Sequence, residues 1–589
     1  MPPFLDRMLA RVSGVEAEPA APSPLPQPRP TSKALALPPS HLSDPETPLL
    51  LLSASDPWRI RDAFEGTQIF GATGSGKTTG SGQAIARAFL RAGFGGLVLC
   101  AKPDERERWQ RYAAECGRER SVIVFDGSGT RRLNFLHYEM ARQESGQAVI
   151  FNLVHLLLHV LDVAEGRKTG DSREEPFWRN ATGELLSHGL DMLWTAHGTI
   201  TLDALFELIH SRPTSPAQKD DPKWQASSYW HETMQKCRPA PAHPIAPEDL
   251  RTIERYWTGV LAQADQRTPG NIVATLSARL NPLLKGPLRQ LFSTTTNVVP
   301  EMTHEGAILV VDLPIRRWHE AGILAQQIIK YLWQRAIEAR GVTATTRPVF
   351  LWADECQFFL SPYDAEFQST ARSARAATVY LTQNLPSYYA QIGGKHPEHI
   401  ADSLLGNFQT KIFHANGDPR SNQWAADLIG KSIQYRRTYG EGERYGESAG
   451  TSYGESENAG VSTMRGSSTS EQKNQGWGGG WSSSSQPGSG TWNHHYNYGQ
   501  SGGTGTNESQ GTSRGRGWNW GSNRGESRDQ SVNRGINEVI DYELQPAEFS
   551  RLRKGGPECG LQVDAIVFQG GRVWRHGNST WLPCMFPQR

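Results

Sequence analysis

The sequence has few cysteines and no excess of charge of either sign. Its 589 residues include six cysteines, scattered along the chain with no C-x-x-C pair, which argues against both a disulfide framework and a cysteine-based zinc site. The 61 basic and 60 acidic residues leave a net charge of +1. The chain therefore does not coat nucleic acid through bulk charge, and any contact with nucleic acid is expected to be local.

Long apolar runs are also lacking. The longest, such as residues 47–53, fall far short of the roughly 18–20 residues that cross a bilayer. Residues 1–11 are not followed by the apolar segment of a signal peptide. We therefore expect a soluble, cytoplasmic protein, which a membrane partner would have to recruit peripherally to the inner membrane.

The composition changes several times along the chain, which predicts domain boundaries. Residues 1–48 are rich in proline and alanine and favour an extended, disordered tether. Residues 49–145 and 286–437 carry apolar, β-branched runs that alternate with helix-like segments, a pattern typical of a parallel sheet with crossover helices. In residues 146–285 apolar residues recur at helical spacing instead. We predict an α/β domain in two parts, with an all-α domain inserted between them.

A long polar segment, residues 438–535, contains neither leucine nor isoleucine. Such a segment cannot bury enough apolar surface to offset the entropy of ordering it. Its tryptophans and arginines could stack on single-stranded bases, but eight basic against nine acidic residues give no charge excess for phosphates. We therefore favour a flexible, low-complexity insertion rich in glycine, serine and tryptophan. Residues 536–589 regain strand-like runs and are predicted to return to the α/β domain.

The clearest motif is a glycine-rich loop that fits G-x-x-x-x-G-K-[ST] between a strand-like run and a helix-like segment. Its residues are Gly71, Ala72, Thr73, Gly74, Ser75, Gly76, Lys77 and Thr78, and the adjoining Thr79 is assigned to the same site. Glycines let backbone N–H groups wrap phosphates, Lys77 would reach the β and γ oxygens, and the Thr78 hydroxyl would ligate Mg²⁺. The motif predicts a nucleotide site.

A P-loop of this kind needs an acidic partner at the end of another buried strand. The apolar run 349–353 ends in Asp354 and Glu355. We expect Asp354 to hold the magnesium shell together with Thr78, and Glu355 to polarise the attacking water as general base. Asp312, which follows another apolar run, is the alternative carboxylate, but it lacks a following glutamate.

Two more polar residues are candidates for the catalytic site. Gln383 stands at the tip of the strand-like run 377–382, where it could sense the terminal phosphate or orient water. Arg372 lies eleven residues earlier, on a predicted helix at the domain edge. In a ring, an arginine at such an edge can reach a neighbour's nucleotide as an arginine finger. A solvated surface arginine is the alternative.

The motifs occur in an order that resembles a known family. Besides the P-loop and the acidic pair, the stretches that carry the resemblance are 97–105 (LVLCAKPDE, with Lys102 and Glu105), 133–136 (LNFL), 175–178 (EPFW), 372–383 (RSARAATVYLTQ), 407–411 (NFQTK), 416–418 (NGD) and 428–430 (LIG). The series resembles the coupling-protein ATPases of type IV secretion and conjugation, the TraG/TraD/TrwB group of the FtsK/HerA-like motors.

The resemblance implies a RecA-like P-loop motor domain with an inserted all-α domain, assembled as a homo-hexameric ring. It implies ATP and Mg²⁺ as cofactors and DNA, single- or double-stranded and without sequence preference, as substrate. A relaxosome or adaptor protein would bind the helical domain. The resemblance also favours Arg372 as a finger and Gln383 as a sensor.

Three features depart from the family's pattern. Members commonly carry N-terminal transmembrane helices, and this chain has none, so a membrane protein would have to recruit it. The family's D-P-K-G-E retains Lys102 and Glu105 here but loses the leading aspartate. No arginine directly precedes the P-loop, since Arg59 and Arg61 are only nearby.

The expected function is an ATP-hydrolysing ring motor. It would translocate DNA, or DNA with attached protein, toward a conjugative or type IV secretion channel. A cytoplasmic DNA pump or helicase without a secretion role is the first alternative. A nucleotide-switched receptor for the protein substrates of a secretion system is the second.

Overall fold

The structure, a computed structural model, describes residues 42–142, 146–164, 175–238, 241–264, 267–393, 396–454, 461–478, 495–512 and 519–588. The chain divides into two compact units. Residues 1–425 with 546–589 are here called the α/β unit, and residues 426–545 the polar unit. In the described part of the chain, no helix combines the length and the apolar character that crossing a bilayer requires. All six cysteines are free thiols.

Fifteen strands form three sheets within the described residues. In chain order they are β1 Pro48–Leu51, β2 Pro57–Arg59, β3 Thr67–Phe70, β4 Gly95–Leu99, β5 Val122–Asp126, β6 Ile308–Asp312, β7 Val349–Ala353, β8 Ala376–Thr382, β9 Thr410–Phe413, β10 Lys431–Gly454, β11 Val461–Gly478, β12 His495–Thr512, β13 Asn519–Tyr542, β14 Gln562–Gln569 and β15 Trp581–Pro587. The first two pair as an antiparallel ribbon.

Nine strands make the main sheet, in the order β15-β14-β9-β3-β8-β7-β4-β6-β5. The seven strands from β9 to β5 are parallel, and β14 and β15 extend the sheet in antiparallel fashion. Strands β3, β7 and β8 are buried at every position. Burial along a whole strand is typical of parallel strands that are covered on both faces. The sheet confirms the predicted α/β class.

Seventeen α-helices lie in the described residues. They are α1 Ile60–Phe64, α2 Gln83–Ala92, α3 Glu105–Glu115, α4 Phe135–Arg142, α5 Gly146–Ala164, α6 Glu175–His197, α7 Leu202–His210, α8 Pro222–Ser227, α9 Tyr229–Lys236, α10 Pro247–Arg255, α11 Arg267–Leu280, α12 Gly286–Phe292, α13 Ile315–Ala339, α14 Tyr363–Thr370, α15 Leu385–Ile392, α16 Pro397–Gly406 and α17 Pro419–Ile429.

Aromatic side chains fix α2 and α3 on one face of the main sheet. The ring centroid of Phe350 on β7 lies 5.3 Å from that of Phe89 on α2 and 5.4 Å from that of Trp109 on α3. All three side chains are buried. Each such ring pair contributes about 0.5–1.5 kcal/mol beyond the burial of its area. Because α2 continues from the P-loop, this packing also fixes the direction in which the loop leaves the sheet.

Between β5 and β6 the described residues form helices and no strand. Leucines at helical spacing account for helices such as α7, which buries Leu202, Leu205 and Leu208. The Thr201 side chain caps α7 by accepting a hydrogen bond from the backbone N–H of Ala204. The helices extend beyond residues 146–285, since α4 begins at Phe135 and α12 ends at Phe292. The main sheet is thus interrupted after β5 and resumes with β6.

The polar unit contains the whole of the predicted low-complexity insertion, residues 438–535. Its four strands form an antiparallel sheet in the order β10-β13-β12-β11. Strand β10 pairs with β13 in unbroken register, from Lys431 opposite Tyr542 to Gly454 opposite Asn519. Such a ladder is built from main-chain hydrogen bonds, which require no leucine or isoleucine.

Candidate nucleotide site

The carboxyl ends of the parallel strands bring the predicted site residues to one edge of the main sheet. Strand β3 leads into the P-loop at Gly71, β7 into Asp354 and Glu355, β8 into Gln383, and β9 into His414. Strand β8 lies between β3 and β7, so one strand separates the P-loop from the acidic pair. Ligands of open parallel sheets bind at such an edge.

The P-loop adopts a conformation that requires its glycines. Gly74 and Gly76 have φ angles of +75° and +81°, in the left-handed region that favours glycine. A Cβ on Gly71 would lie 2.4 Å from Ser75 Oγ, and one on Gly76 would lie 2.5 Å from the Val563 side chain. Ser75 Oγ is buried and has no hydrogen-bond partner among the described residues. A tight loop with an unpaired buried hydroxyl fits a phosphate cradle.

Lys77 and Thr78 lie against the acidic pair. Thr78 Oγ1 donates a 2.9 Å hydrogen bond to Asp354 Oδ2, and Lys77 Nζ lies 3.7 Å from Glu355 Oε1. The Lys77 and Asp354 side chains are only 7% and 2% exposed. The structure therefore brings together the four residues to which the sequence assigned phosphate binding, metal binding and catalysis.

Glu355 has an unusual backbone and a strongly stabilised carboxylate. Its φ of 51° and ψ of 46° are uncommon for a residue with a side chain and are often found at functional sites. Burial alone would raise the pKa of the carboxyl. The charge of Lys77 and hydrogen bonds from Lys102 and Gln357 outweigh burial and lower this pKa to about 2. Glu355 is thus ionised at neutral pH.

Two glutamine side chains orient Glu355. Gln357 Nε2 donates a 3.0 Å hydrogen bond to Glu355 Oε2, and its own Oε1 accepts from Thr382 Oγ1 at 2.8 Å. Gln383 Nε2 approaches both Glu355 oxygens at 3.4 Å, while Asn416 donates to the Gln383 carbonyl at 3.0 Å. Gln383 therefore lies beside Glu355 at the strand tip where the sequence placed it.

A lysine to which the sequence analysis gave no role also enters the site. Lys102 follows β4, the neighbour of β7. Its Nζ donates a 2.9 Å hydrogen bond to Glu355 Oε1 and lies 3.7 Å from Asp354 Oδ2. Burial would lower the pKa of Lys102, but the charge of Asp354 and the contacts with Glu355 raise it. The sequence held one indication of this role. Lys102 belongs to a charged stretch that directly follows an apolar strand, in the segment 97–105 that resembles the family's D-P-K-G-E.

His414 is a second residue that sequence reasoning missed. Its Nδ1 lies 3.0 Å from the carbonyl oxygen of Asp564 and its Nε2 lies 2.6 Å from Ser81 Oγ. Since a carbonyl only accepts, we assign the proton to Nδ1, so that Nε2 accepts from Ser81. Complete burial and, to a smaller degree, the charge of Lys77 lower the pKa of His414 to about 4 despite the hydrogen bond to Asp564. The neutral ring joins β9 and β14 to the turn that follows the P-loop.

Arg372 lies just beyond a helix rather than on one. It follows the end of α14 in a turn, at the amino end of β8. Its side chain is 70% exposed and lies 3.3 Å from Glu65 Oε1. The P-loop lies at the carboxyl edge of the sheet, about 20 Å away along β8. Arg372 is therefore remote from the P-loop of its own chain.

Asp312, the alternative metal carboxylate, is engaged elsewhere. Its Oδ2 accepts a 3.3 Å hydrogen bond from Arg106, which also donates to Asp126 at 3.1 Å. Strand β4 separates β6, which ends in Asp312, from β7, so Asp312 lies farther from the P-loop than Asp354 does. Asp354 is the carboxylate that contacts Thr78.

The residues present fit a nucleoside triphosphate with magnesium. A lysine, a helix N-terminus and glycine N–H groups suit phosphates, and threonine and aspartate oxygens suit Mg²⁺. Among the described residues, no group of three or more His, Cys, Asp or Glu is placed to hold a metal ion by itself. Magnesium bound with a nucleotide needs no such group, because it keeps phosphate oxygens and waters as ligands.

The comparison with protein families agrees with the motif series. Residues 348–489 match the family model described as the TraM recognition site of TraD and TraG. This segment includes Asp354, Glu355, Arg372 and Gln383. The resemblance to TraG and TraD is confirmed over these residues. The match lies outside residues 146–285, the helical segment that is predicted to bind a relaxosome or adaptor protein.

The chain is also similar to solved structures of low sequence identity. The unbound conjugative coupling protein TrwBΔN70 is 13% identical, with 90% of this chain and 86% of that chain covered and a TM-score of 0.47. Plasmid coupling protein TrwB in complex with ADP and Mg²⁺ is 14% identical, with 90% and 87% covered and a TM-score of 0.47. VirB4 of Thermoanaerobacter pseudethanolicus is 14% identical, with 62% and 85% covered and a TM-score of 0.38. No curated protein sequence matches the chain.

Proposed function

We propose that the chain is a P-loop ATPase that binds ATP with Mg²⁺ and hydrolyses it. The observation that carries the proposal is the 2.9 Å hydrogen bond from Thr78 Oγ1 to Asp354 Oδ2, made directly beside Lys77 and Glu355. In this role the backbone of residues 71–79 wraps the phosphates and Lys77 contacts the β and γ oxygens. Thr78 and Asp354 hold Mg²⁺, which when bound neutralises charge on the phosphates.

Glu355 is the proposed general base. One of its oxygens accepts the proton of the attacking water. Gln383, whose Nε2 lies 3.4 Å from Glu355 Oε1, helps to orient this water. The hydrogen bond from Gln357 at 3.0 Å fixes the plane of the carboxylate. Because the carboxylate is buried, its orientation depends on its protein partners. The side-chain amides of Gln357 and Gln383 therefore set the direction in which the carboxylate faces the reacting water.

We also propose that the ATPase works as a homo-hexameric ring. Arg372 is remote from the P-loop of its own chain and 70% exposed, so it is available to a neighbouring subunit. An arginine placed in trans in this way can stabilise the charge that develops on the transferred phosphoryl group. The ion pair with Glu65 at 3.3 Å holds the side chain at the surface and is weak enough to exchange.

The proposed role is to couple DNA to a conjugative or type IV secretion channel. Its support is the match of residues 348–489 to the TraM recognition site of TraD and TraG. We propose that a relaxosome protein binds within this segment, and that residues 146–285 contact DNA or a second adaptor. Recruitment to the inner membrane would then follow from a partner protein.

The test of ATP hydrolysis uses the purified full chain. Binding of a fluorescent ATP analogue and release of phosphate are measured for the wild type, for Lys77→Ala and for Lys223→Ala, which removes an exposed lysine of α8. We expect Lys77→Ala to lose most of both signals and Lys223→Ala to keep them. A wild type without Mg²⁺-dependent hydrolysis, or a fully active Lys77→Ala variant, contradicts the proposal.

The test of the substrate adds DNA to the same assay. Stimulation of hydrolysis by single- or double-stranded DNA supports a motor, whereas adaptor binding with no response to DNA supports the receptor for protein substrates. Co-purification with membrane proteins of a secretion apparatus separates a coupling protein from a cytoplasmic pump. These outcomes leave the ATPase assignment itself unaffected.

A further inference from the structure

Four polar side chains hold the Glu355 carboxylate, and the two lysines among them differ in exposure. Lys102 Nζ lies 2.9 Å and Lys77 Nζ 3.7 Å from Oε1, while Gln357 donates to Oε2 at 3.0 Å and Gln383 approaches both oxygens at 3.4 Å. Lys77 and Gln357 are buried, whereas Gln383 is half-buried and the Lys102 side chain is 37% exposed. Of the two lysines, only Lys102 therefore has room to move.

The backbone that carries Lys102 is firmly anchored. The buried Glu105 side chain accepts a 2.8 Å hydrogen bond from the N–H of Ala101 through Oε2. The carbonyl of Ala101 accepts a 3.2 Å hydrogen bond from Ile315 N. These bonds tie the start of the turn to α3 and to α13. Rotation of the flexible four-carbon stem is then sufficient to move the Lys102 ammonium without a shift of the backbone.

Charge explains why this lysine can change partner. Lys102 Nζ is shared between Glu355 and Asp354, at 2.9 and 3.7 Å, and Glu355 Oε1 is shared between Lys102 and Lys77. A terminal phosphate carries about two negative charges, against one on a carboxylate. A phosphate next to Lys77 therefore competes strongly for a second ammonium only a few ångströms away.

We propose that Lys102 senses the γ-phosphate of ATP, the terminal phosphate that ADP lacks. It holds Glu355 Oε1 in the absence of ATP and moves to the terminal phosphate when ATP binds, which frees Oε1 to accept the proton of the attacking water. The inference deepens the proposed ATPase function and rests on it. It makes Lys102 a residue that distinguishes ATP from ADP, because only ATP supplies the competing phosphate.

The test compares the affinities for two nucleotides rather than activity. Isothermal titration calorimetry with Mg²⁺ measures the Kd of ADP and of a non-hydrolysable ATP analogue for the full chain. The variants are Lys102→Met, Lys102→Gln and Lys102→Arg, with Lys223→Met as control. We expect Lys102→Met and Lys102→Gln to bind the ATP analogue about tenfold more weakly, as the loss of one charge-assisted contact predicts, and to bind ADP as the wild type does. Lys102→Arg should keep most of the preference for the ATP analogue.

A static salt bridge gives a different result. If Lys102 only braces Glu355, the neutral variants lower the melting temperature but leave the ratio of the two dissociation constants at its wild-type value, and that outcome overturns the inference. If Lys102→Met does not fold, Lys102→Gln decides. A wild type that binds neither nucleotide defeats the proposed ATPase itself, so the two failures are distinguishable.

Discussion

Lys77 Nζ lies 3.7 Å from Glu355 Oε1, and the two side chains are only 7% and 6% exposed. The pair joins the P-loop at the end of β3 to the acidic pair that follows the apolar strand β7. The phosphate-binding cation and the proposed base therefore meet in one buried place. A change in the charge of either residue is expected to act on the other.

The first prediction concerns the charge of Glu355. Glu355→Gln keeps the size of the side chain and its ability to accept hydrogen bonds from Lys102, but it removes the proton acceptor. We expect ATP binding to persist while hydrolysis slows by about 10²–10⁴-fold, the range typical of a lost general base. Equilibrium binding and single-turnover phosphate release in the same preparation measure the two effects separately.

Glu366→Gln is the matched control, because Glu366 is an exposed glutamate on α14 of the same unit. It should hydrolyse ATP at the wild-type rate. A Glu355→Gln variant that retains more than a tenth of the wild-type rate would show that another group accepts the proton.

The second prediction concerns Arg372. Arg372→Ala should bind ATP normally and lose turnover, because a finger contacts only the nucleotide of the neighbouring subunit. When Arg372→Ala and Glu355→Gln subunits are mixed, some activity should return, since the second subunit supplies the arginine that completes the site of the first. Phosphate release is measured across mixing ratios. Arg251→Ala is the control, because Arg251 is also exposed (68%) and paired with one glutamate. Full activity of Arg372→Ala rings would refute the assignment.

The nucleotide site could be predicted from the sequence because its motifs are local. The P-loop is a continuous stretch and the acidic pair directly follows an apolar run. The contacts of Lys102 and His414 were out of reach, because they depend on strand order: Lys102 and Glu355 are 253 residues apart, and they meet only because β4 lies beside β7. Hydrophobic periodicity indicates that a strand exists but not which strand lies beside it.

The helix predicted around Arg372 shows a second limit. Alanine and arginine are good helix formers, yet α14 ends at Thr370. Arg375 has a φ of 52°, and the N–H of Ala376 bonds the carbonyl of Ala371, so the chain turns directly into β8. Tertiary packing of β8 overrides the local preference, and Ser373 is the one residue of the turn 371–375 with a recognised turn propensity.

The third prediction concerns the pH dependence of stability. The pKa of His414 is about 4 in the folded protein, below the usual value near 6.5 in an unfolded chain. Between these two values, His414 binds more protons in the unfolded chain than in the folded one. Its contribution to the free energy of unfolding therefore rises from about pH 4 to pH 6.5 and is constant above pH 6.5. His414→Asn removes this contribution. The stability of the wild type relative to the variant should therefore fall on acidification, by up to about 3 kcal/mol.

Chemical denaturation at a series of pH values measures this difference. His399→Asn, at an exposed histidine of α16, serves as control and should follow the wild type across the range. A wild type and a His414→Asn variant whose stabilities run parallel from pH 4 to 7 would show that His414 is not held neutral by its burial between Ser81 and Asp564.

The last prediction concerns residues 438–535, most of the polar unit. Arg437 and Ile536 lie directly opposite each other in the register of β10 and β13. Opposed residues of an antiparallel pair have Cα atoms about 4.5–5.5 Å apart, a gap that a two-residue Asn-Gly turn closes. Replacing 438–535 by Asn-Gly should therefore leave a short hairpin, 431–437 with 536–542, and an intact nucleotide site.

We expect this deletion to keep the wild-type rate of ATP hydrolysis within about twofold, because every contact described at the P-loop lies in residues 1–425 and 546–589. The melting transition reports whether the shortened chain is folded. If the deletion folds and hydrolyses ATP without DNA but is no longer stimulated by DNA, the polar unit belongs to the substrate path. If it folds and has lost basal hydrolysis, the polar unit acts on the nucleotide site itself, and the assumed independence of the two units is wrong.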